Sequence, residues 1–370
     1  MRTLLLLFLT GHGLLHLLGF GAAVGYSPGD FTTFIPRSWG LGWLAVAAIL
    51  LLAALLLVLR RRHWRTVATV GIVLSQVLIF RFWTDAAFGA IANLILAVGL
   101  LLSQAAWTFD RQARRARNRM LLVDDASDLE AERDLPPLVN RWLSRSGAEH
   151  HRAAYLCLEQ QLAIKLKPEQ TEWYAAEADQ LILSSRPAFH WSVRVRLNPL
   201  VEVFGTDTLD SGGASLRMSL FGLLTVSAVS QNEKANEAAL QRYLAELAWF
   251  PAAARSSRIE WEEMDSERAR ATVYGGEQSA SGIFTFTPQG DFLRFEAQRY
   301  REHGPEAKRE PWIAEADRWT TFEGVRVPSR LRASWMLDGE KWTWLRITVT
   351  NLRHGTTTAR NRQPDVQFHE

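Results

Sequence analysis

The stretch 232-NEKANEAALQRYLAELAWFP-251 decides the fold. Leu240, Tyr243, Leu244 and Leu247 recur at i, i+3, i+4 and i+7, the spacing of one helix face, and Glu237, Gln241 and Arg242 fall off that stripe. Asn232 suits an N-cap, Glu233 suits the positive end of the helix dipole, and Pro251 cannot continue the helix. The flanking sequence alternates in short apolar runs. One helix amid such strands predicts an α+β domain in which a curved antiparallel sheet, shaped like half a barrel, wraps a central helix.

Upstream, FHWSVRVRL places Phe189, Trp191, Val193, Val195 and Leu197 on one face of a strand and His190, Ser192, Arg194 and Arg196 on the other. Ala214–Leu220 repeats the pattern through Leu216, Met218 and Leu220, and Leu223–Ser230 reads as its partner. Residues 153–166 fit strand and helix about equally. Downstream, strands are expected at Ile259–Glu263, Ala269–Tyr274, Gly282–Thr287 and Phe292–Tyr300. A final hairpin of Val325–Met336 and Lys341–Thr350 turns at Asp338-Gly339, a type I′ signal. In its last strand Trp342 and Trp344 share one face and Leu345, Ile347 and Val349 the other, so both faces are expected to be covered. Ahead of all this, DLPPLVNRWLSRSG reads as a short helix that Asp134 can cap and Gly147 ends.

The N-terminal third is a different material. Seven of the 42 Lys and Arg and two of the 39 Asp and Glu lie at or before Trp107, leaving 35 and 37, a net of −2, for the rest. The overall +3 therefore reflects arginines beside apolar segments, not a basic face on a folded domain, and argues against nucleic acid as a partner. Four segments are long and apolar enough to span a bilayer: Leu4–Gly25, Trp39–Leu59, Val67–Phe82 and Phe88–Trp107. The first could pass for a secretory signal peptide, but three more spans follow, so it reads as the first helix of a bundle. Arg60, Arg61, Arg62 and Arg65 follow the second span, and Arg111, Arg114, Arg115, Arg117 and Arg119 follow the fourth. The positive-inside rule then puts both termini in the cytoplasm. Trp39, Trp43, Trp64, Trp83 and Trp107 sit near span ends, as an interfacial belt would. The organisation expected is a bundle at 1–109, a charged linker at 110–133 that begins as a helical continuation, a soluble domain at 134–355 and a polar tail at 356–370. The acidic cluster Asp124, Asp125, Asp128 and Glu130 reads as a solvated part of that linker.

His12 and His16, four apart in the first span, share a helix face, and ionisable groups at that depth are functional candidates. Metal, haem or proton chemistry competes there with plain hydrogen bonding to Ser75, Gln76 or Asn93 on neighbouring spans. The other spans offer no further metal ligands at mid-depth, so no metal and no cofactor is expected. Gly11, Gly13 and Gly19 read as close-packing positions. The single cysteine, Cys157, excludes an intrachain disulfide and a Cys-based zinc site. No nucleophile elbow, zinc-protease helix, Walker loop or dinucleotide fingerprint occurs, so no catalytic residue is assigned and a non-enzymatic role is expected. Glu246 is expected to be a partly buried acid, paired with an arginine such as Arg194 or Arg196 or acting as an acid of raised pKa. His190 is expected on a polar face, against solvent or a carboxylate.

Ten of the fifteen tryptophans follow Trp107. An apolar pocket between sheet and helix would use them: the candidate ligand-binding residues are Phe189, Trp191, Met218, Leu240, Leu244, Leu247, Trp249 and Trp335. The alternative is that the helix fills that space. Over most of Leu135–Thr350 the chain resembles a bacterial family built on a domain of unknown function that often follows a few membrane helices. The likeness is carried by Leu135-Pro136-Pro137 with Arg141, Phe189-His190-Trp191, the run Leu240–Pro251, Trp261 with Asp265, and Val327-Pro328 followed by Trp335. The order of strands, one helix, then strands also looks like the half-barrel of bacterial lipoprotein carriers and lipid-binding lipoproteins, which implies a hydrophobic ligand held between sheet and helix. The function expected is an integral membrane protein in contact with membrane lipids, whose soluble domain binds a lipid or other hydrophobic small molecule. The alternative is a structural or regulatory subunit that binds a membrane protein partner.

Overall fold

The computed structural model describes residues 2–26, 31–122, 134–230 and 232–356. The acidic cluster Asp124, Asp125, Asp128 and Glu130 and the tail from 357 lie outside the described residues. The chain divides into two compact units, Met1–Thr108 and Phe109–Glu370.

The first unit holds α1 (Arg2–Ala23), α2 (Arg37–Val58), α3 (Trp64–Arg81), the single turn α4 (Trp83–Ala86) and the start of α5 (Gly89–Leu122). All but α4 are long and apolar enough to cross a membrane. Helix α2 packs against both α1 and α3. Close approach is made at small residues: a Cβ on Gly19 would fall on the Trp43 ring, and one on Gly13 would press Leu50 Cβ at 3.3 Å. Gly11 meets nothing within 4 Å and has no such role. Trp43, expected in an interfacial belt, is buried beneath α1 instead, its ring 4.9 Å from that of His16.

The second unit is one sheet around one helix. Its first residues continue α5, and α6 (Pro137–Ser146) follows. Helix α6 lacks a side-chain cap; the Leu138 N–H donates instead to Glu263 Oε2 at 3.2 Å. Gly147 ends it at φ 75°, a left-handed C-cap. Six strands then run as a meander: β1 (Tyr155–Ile164), β2 (Tyr174–Leu183), β3 (Ala188–Asn198), β4 (Val201–Asp210), β5 (Gly213–Leu220) and β6 (Leu224–Ser230). The chain crosses through α7 (Glu233–Glu246) to a second meander: β7 (Ile259–Glu263), β8 (Arg268–Gly275), β9 (Gln278–Phe286), β10 (Phe292–Tyr300), β11 (Arg309–Phe322), β12 (Val325–Leu337) and β13 (Glu340–Gly355). Strand β13 pairs with β1, so among the described residues the order is β6-β5-β4-β3-β2-β1-β13-β12-β11-β10-β9-β8-β7, antiparallel throughout.

Helix α7 forces the curl of this sheet. It touches β4 and β5 on one arm and β8, β9 and β10 on the other. Laid flat, β5 and β9 would be nine strand spacings apart, about 43 Å. A helix is only about 10–12 Å across, so the sheet must bend around it into a half-barrel. Asn232 caps α7, its side chain accepting from Ala235 N at 3.1 Å. Because the arms close on both sides, the helix is buried well beyond its leucine stripe: Gln241 and Glu246 are 4% and 5% exposed.

The convex face is covered too, over part of its width, by residues 109–122 of α5. The sequence places a solvated linker from 110, but Ala113, Arg117, Met120 and Leu121 are buried. Arg117 donates to Ser192 Oγ at 2.9 Å, Arg194 pairs with Asp110, and Met120 and Leu121 pack on Cys157, Leu181 and Leu183. The polar face of β3 is thus the seat of a helix and not a solvent surface. His190 is accordingly buried, hydrogen-bonded to Thr208 at 2.8 Å. Burial first, then the nearby Arg117 and Arg119, hold its imidazole down to about 3. Burial likewise pushes the Cys157 thiol up to about 12, which leaves it inert as a nucleophile.

Candidate functional site

Helix α7 does not fill the half-barrel. Between it and the concave face lies a cavity of about 600 Å³, within the range of about 300–1,000 Å³ usual for small-molecule sites. Its apolar wall comes from β1, β3, β5 and the β11–β13 end of the sheet, where Trp312, Trp335 and Trp342 lie in successive cross-strand register. Trp344 joins them through a β-bulge at Ala333/Ser334. The bulge switches the parity of β13, so Trp342, Trp344, Leu345 and Ile347 all line the cavity. The sequence pattern, read without a bulge, puts the tryptophans and the aliphatic residues on opposite faces.

Of the residues proposed from sequence, Trp191, Met218, Trp249 and Trp335 line the cavity. Phe189, Leu240, Leu244 and Leu247 are packed in the surrounding core. Phe189 lies below Arg242, whose guanidinium sits 4.7 Å from its ring centroid. Leu240 packs where a Cβ on Gly275 would meet it at 2.7 Å. Trp249, at the inner end, donates its indole N–H to the Pro328 carbonyl at 2.9 Å. The mouth is formed where the turn after β1 (Lys165, Leu166, Pro168) faces the turn after β10 (Arg301, Glu302, His303).

The polar content of the cavity was not read from the sequence. Arg242 reaches Asp207 Oδ2 and Glu246 Oε1, each at 2.6 Å, and stacks 4.9 Å over Trp191. Glu246 is therefore held by Arg242 one helical turn away. Arg194 and Arg196, its expected partners, are on the convex face with Asp110 and Glu177. Burial pushes the Glu246 carboxyl above its ordinary range, and Arg242 only partly offsets this because Asp207 shares it. The same two carboxylates raise Arg242, against its own burial. A neutral chain adjoins them: Trp191 donates to Gln160 at 3.1 Å and Gln160 donates to Gln180 at 3.1 Å. Gln160 and Gln180 lie on β1 and β2, whose sequences gave an ambiguous signal and no strand signal. Arg299, from β10, completes the polar wall. Its Nε donates to the Ala238 carbonyl at 3.0 Å, and its guanidinium lies 4.5 Å over Trp312 and 5.7 Å over Trp335.

In the first unit, His12 and His16 are buried side by side, ring centroids 4.8 Å apart. His12 Nε2 meets Asn93 Oδ1 at 2.9 Å and Ser75 Oγ at 3.1 Å, and His16 Nε2 meets Ser75 Oγ at 2.9 Å. Asn93 also donates to Gln76 at 3.0 Å. Among the described residues, no cluster of three or more His, Cys, Asp or Glu is placed to hold a metal.

A family model described as "Family of unknown function (DUF6920)" matches residues 133–354. No curated protein matches the chain in sequence. Among solved structures, the LolA superfamily protein NE2245 from Nitrosomonas europaea aligns at 8% identity and a TM-score of 0.35, over 61% of this chain and 98% of its own. The dehydratase domain from the CurF module of curacin polyketide synthase aligns at 8% identity and a TM-score of 0.15, over 60% and 84%.

Proposed function

The chain belongs to the family of unknown function DUF6920, and from that starting point we propose that it is a multi-pass inner-membrane protein whose sheet unit holds a lipid or other hydrophobic molecule in the cavity beside α7. The observation that carries this reading is the cavity itself: about 600 Å³, walled by six tryptophans and aliphatic side chains, and open at one end. Fully packed interiors leave few voids larger than a water molecule, so an apolar space of this size has a use. The exposed leucines gather at the same end: Leu166, Leu200, Leu223 and Leu224 cap the turns between β1 and β2, β3 and β4, and β5 and β6. They offer an apolar rim to a molecule that passes between membrane and cavity. The arginines after the second and fourth spans support a cytoplasmic sheet unit; a reporter enzyme fused after Glu370 that is active only outside the cytoplasm would overturn that orientation.

The test is to purify the full chain gently and examine it by native and organic-extract mass spectrometry. The whole chain is needed because residues 109–122 cover part of the convex face. A lipid class retained in about one copy per chain, and lost when Ala333→Phe narrows the wall, is the expected result. A chain that retains nothing and binds no apolar fluorophore would overturn the reading. A stoichiometric protein partner in place of the lipid would favour a subunit role.

A further inference from the structure

The charges beside α7 are unevenly matched. Arg242 takes the two inner carboxylates of the cavity, Asp207 and Glu246, while Glu302 lies at the mouth with Arg301. Arg299 has none: among the described residues its one hydrogen bond is from Nε to a backbone carbonyl, and no carboxylate comes within salt-bridge distance. Its two Nη atoms make no hydrogen bond, and the guanidinium carbon lies 4.5 Å and 5.7 Å from the ring centroids of Trp312 and Trp335 in the cavity wall. Burial first, with the nearby Arg242, pulls this guanidinium down to about 10 against the more distant pull of Asp207 and Glu246. A desolvated cation is costly unless it is paired and hydrogen-bonded. A guanidinium also presents a planar fork that matches carboxylate and phosphate oxygens two at a time.

We propose that Arg299 is the head-group site of the cavity and that the ligand is an anionic amphiphile, its carboxylate or phosphate on the free edge of the Arg299 guanidinium and its hydrocarbon tail along the tryptophan and aliphatic wall. This rests on the hydrophobic-ligand reading above and narrows it to a chemical class. The placement fits the cavity's two sides: the charged residues Asp207, Arg242, Glu246 and Arg299 lie towards α7, while Leu162, Ile164, Val193, Leu345 and Ile347 form the facing wall. A neutral lipid would satisfy the wall and leave Arg299 desolvated without a partner. At the mouth Arg301 is paired with Glu302 at 3.3 Å, and Lys165 gives an incoming anion a favourable approach.

The experiment uses the full chain in phosphatidylcholine nanodiscs, with lipid-only discs as blank. cis-Parinaric acid and its methyl ester are titrated, read by energy transfer from tryptophan. The acid should bind at least about tenfold more tightly than the ester, as expected for two charge-assisted hydrogen bonds in a desolvated site. Arg299→Gln should abolish that preference, bringing the acid-to-ester ratio close to one, and Arg299→Lys, which keeps the charge, should retain part of it. Displacement of the acid by stearate or by an 18-carbon lysophosphatidate then tells carboxylate from phosphate, and the tighter competitor names the head. Equal binding of acid and ester by the wild-type chain would overturn the anionic head while leaving a hydrophobic site. A preference that survives Arg299→Gln would overturn the role of Arg299. Binding of neither probe would overturn the reading on which both rest.

Discussion

His12, His16, Ser75 and Asn93 in the helical unit and Asp207, Arg242, Glu246 and Arg299 in the sheet unit are both polar groups set in apolar surroundings. They solve that problem differently. The first group can be uncharged throughout, and its atoms turn inward on one another: one serine hydroxyl meets both histidines and the asparagine. The second consists of formal charges around an open space, and one of its two cations lacks a carboxylate within reach. The Nδ1 atoms of His12 and His16 are buried without a partner, and among the described residues no third ligand stands near them to make a metal site. A charged cluster that borders a cavity and is incomplete is where a ligand group has something to gain. The contrast sets two tests: the sheet unit for a ligand, and the histidines for a structural role.

The largest effect that sharpens this comparison is expected from Arg242→Met. It leaves Asp207 and Glu246 desolvated without a cation, a change that typically costs about 3–5 kcal/mol. Guanidinium unfolding followed by tryptophan fluorescence should show it. The triple change Arg242→Met, Asp207→Leu and Glu246→Met should recover much of the loss, because well-packed apolar residues commonly replace a buried ionic group at little cost. Recovery of stability with loss of ligand retention would mark the cluster as kept for binding. A triple variant as unstable as Arg242→Met would mean instead that the fold needs its charges.

A smaller effect separates the two carboxylates. The Glu246 carboxyl sits above its ordinary 4.5 because burial outweighs Arg242. A group whose pKa is raised by folding contributes stability that is fully present below the unfolded value and lost as pH rises through the folded one. Glu246→Gln removes that dependence. Its stability relative to the wild type should therefore improve as pH is raised above about 4.5. Unfolding free energies of both proteins across pH 4 to 8 would show it, and parallel curves would mean that Arg242 fully offsets the burial of Glu246.

How far the sequence reads into this structure follows the same division between apolar and charged. The spans, the cap at Asn232, the alternation of β3 and the Asp338-Gly339 turn are local patterns, and the last has positive φ at both residues, 50° and 84°. Strand β2 is not legible because YAAEADQLIL is rich in helix formers, and β11 because Pro311 and its acids weaken the strand pattern. In both, the neighbouring strands decide. The β13 bulge was invisible since parity alone cannot report an extra residue. Arg242 falls outside the leucine stripe, and Glu246 reads as a partly buried acid but with Arg194 or Arg196 as its arginine in place of Arg242. What buries them is a sheet that closes on both sides of α7, and its other arm is tens of residues away in sequence. Arg299 carried no signal at all: on an alternating strand, only the curl of the sheet tells the cavity side from the outer one.

The smallest expected effect tests the other half of the comparison. Ser75→Ala removes the hydroxyl shared by His12, His16 and Asn93. Hydrogen bonds between membrane helices average about 0.6 kcal/mol in double-mutant cycles and rarely exceed about 1.7, since the separated helices find other partners. The cost should fall in that range, well below that of Arg242→Met, with His12 still held by Asn93 through its 2.9 Å contact. Unfolding of the full chain in mixed micelles, with retention of the bound amphiphile measured on the same samples, is the check. A modest loss of helical stability with retention unchanged is the result that a structural network requires. Ligand loss on removing one hydroxyl from the helical unit would mean that the histidine cluster takes part in binding, and the separation of the two clusters by role would fall.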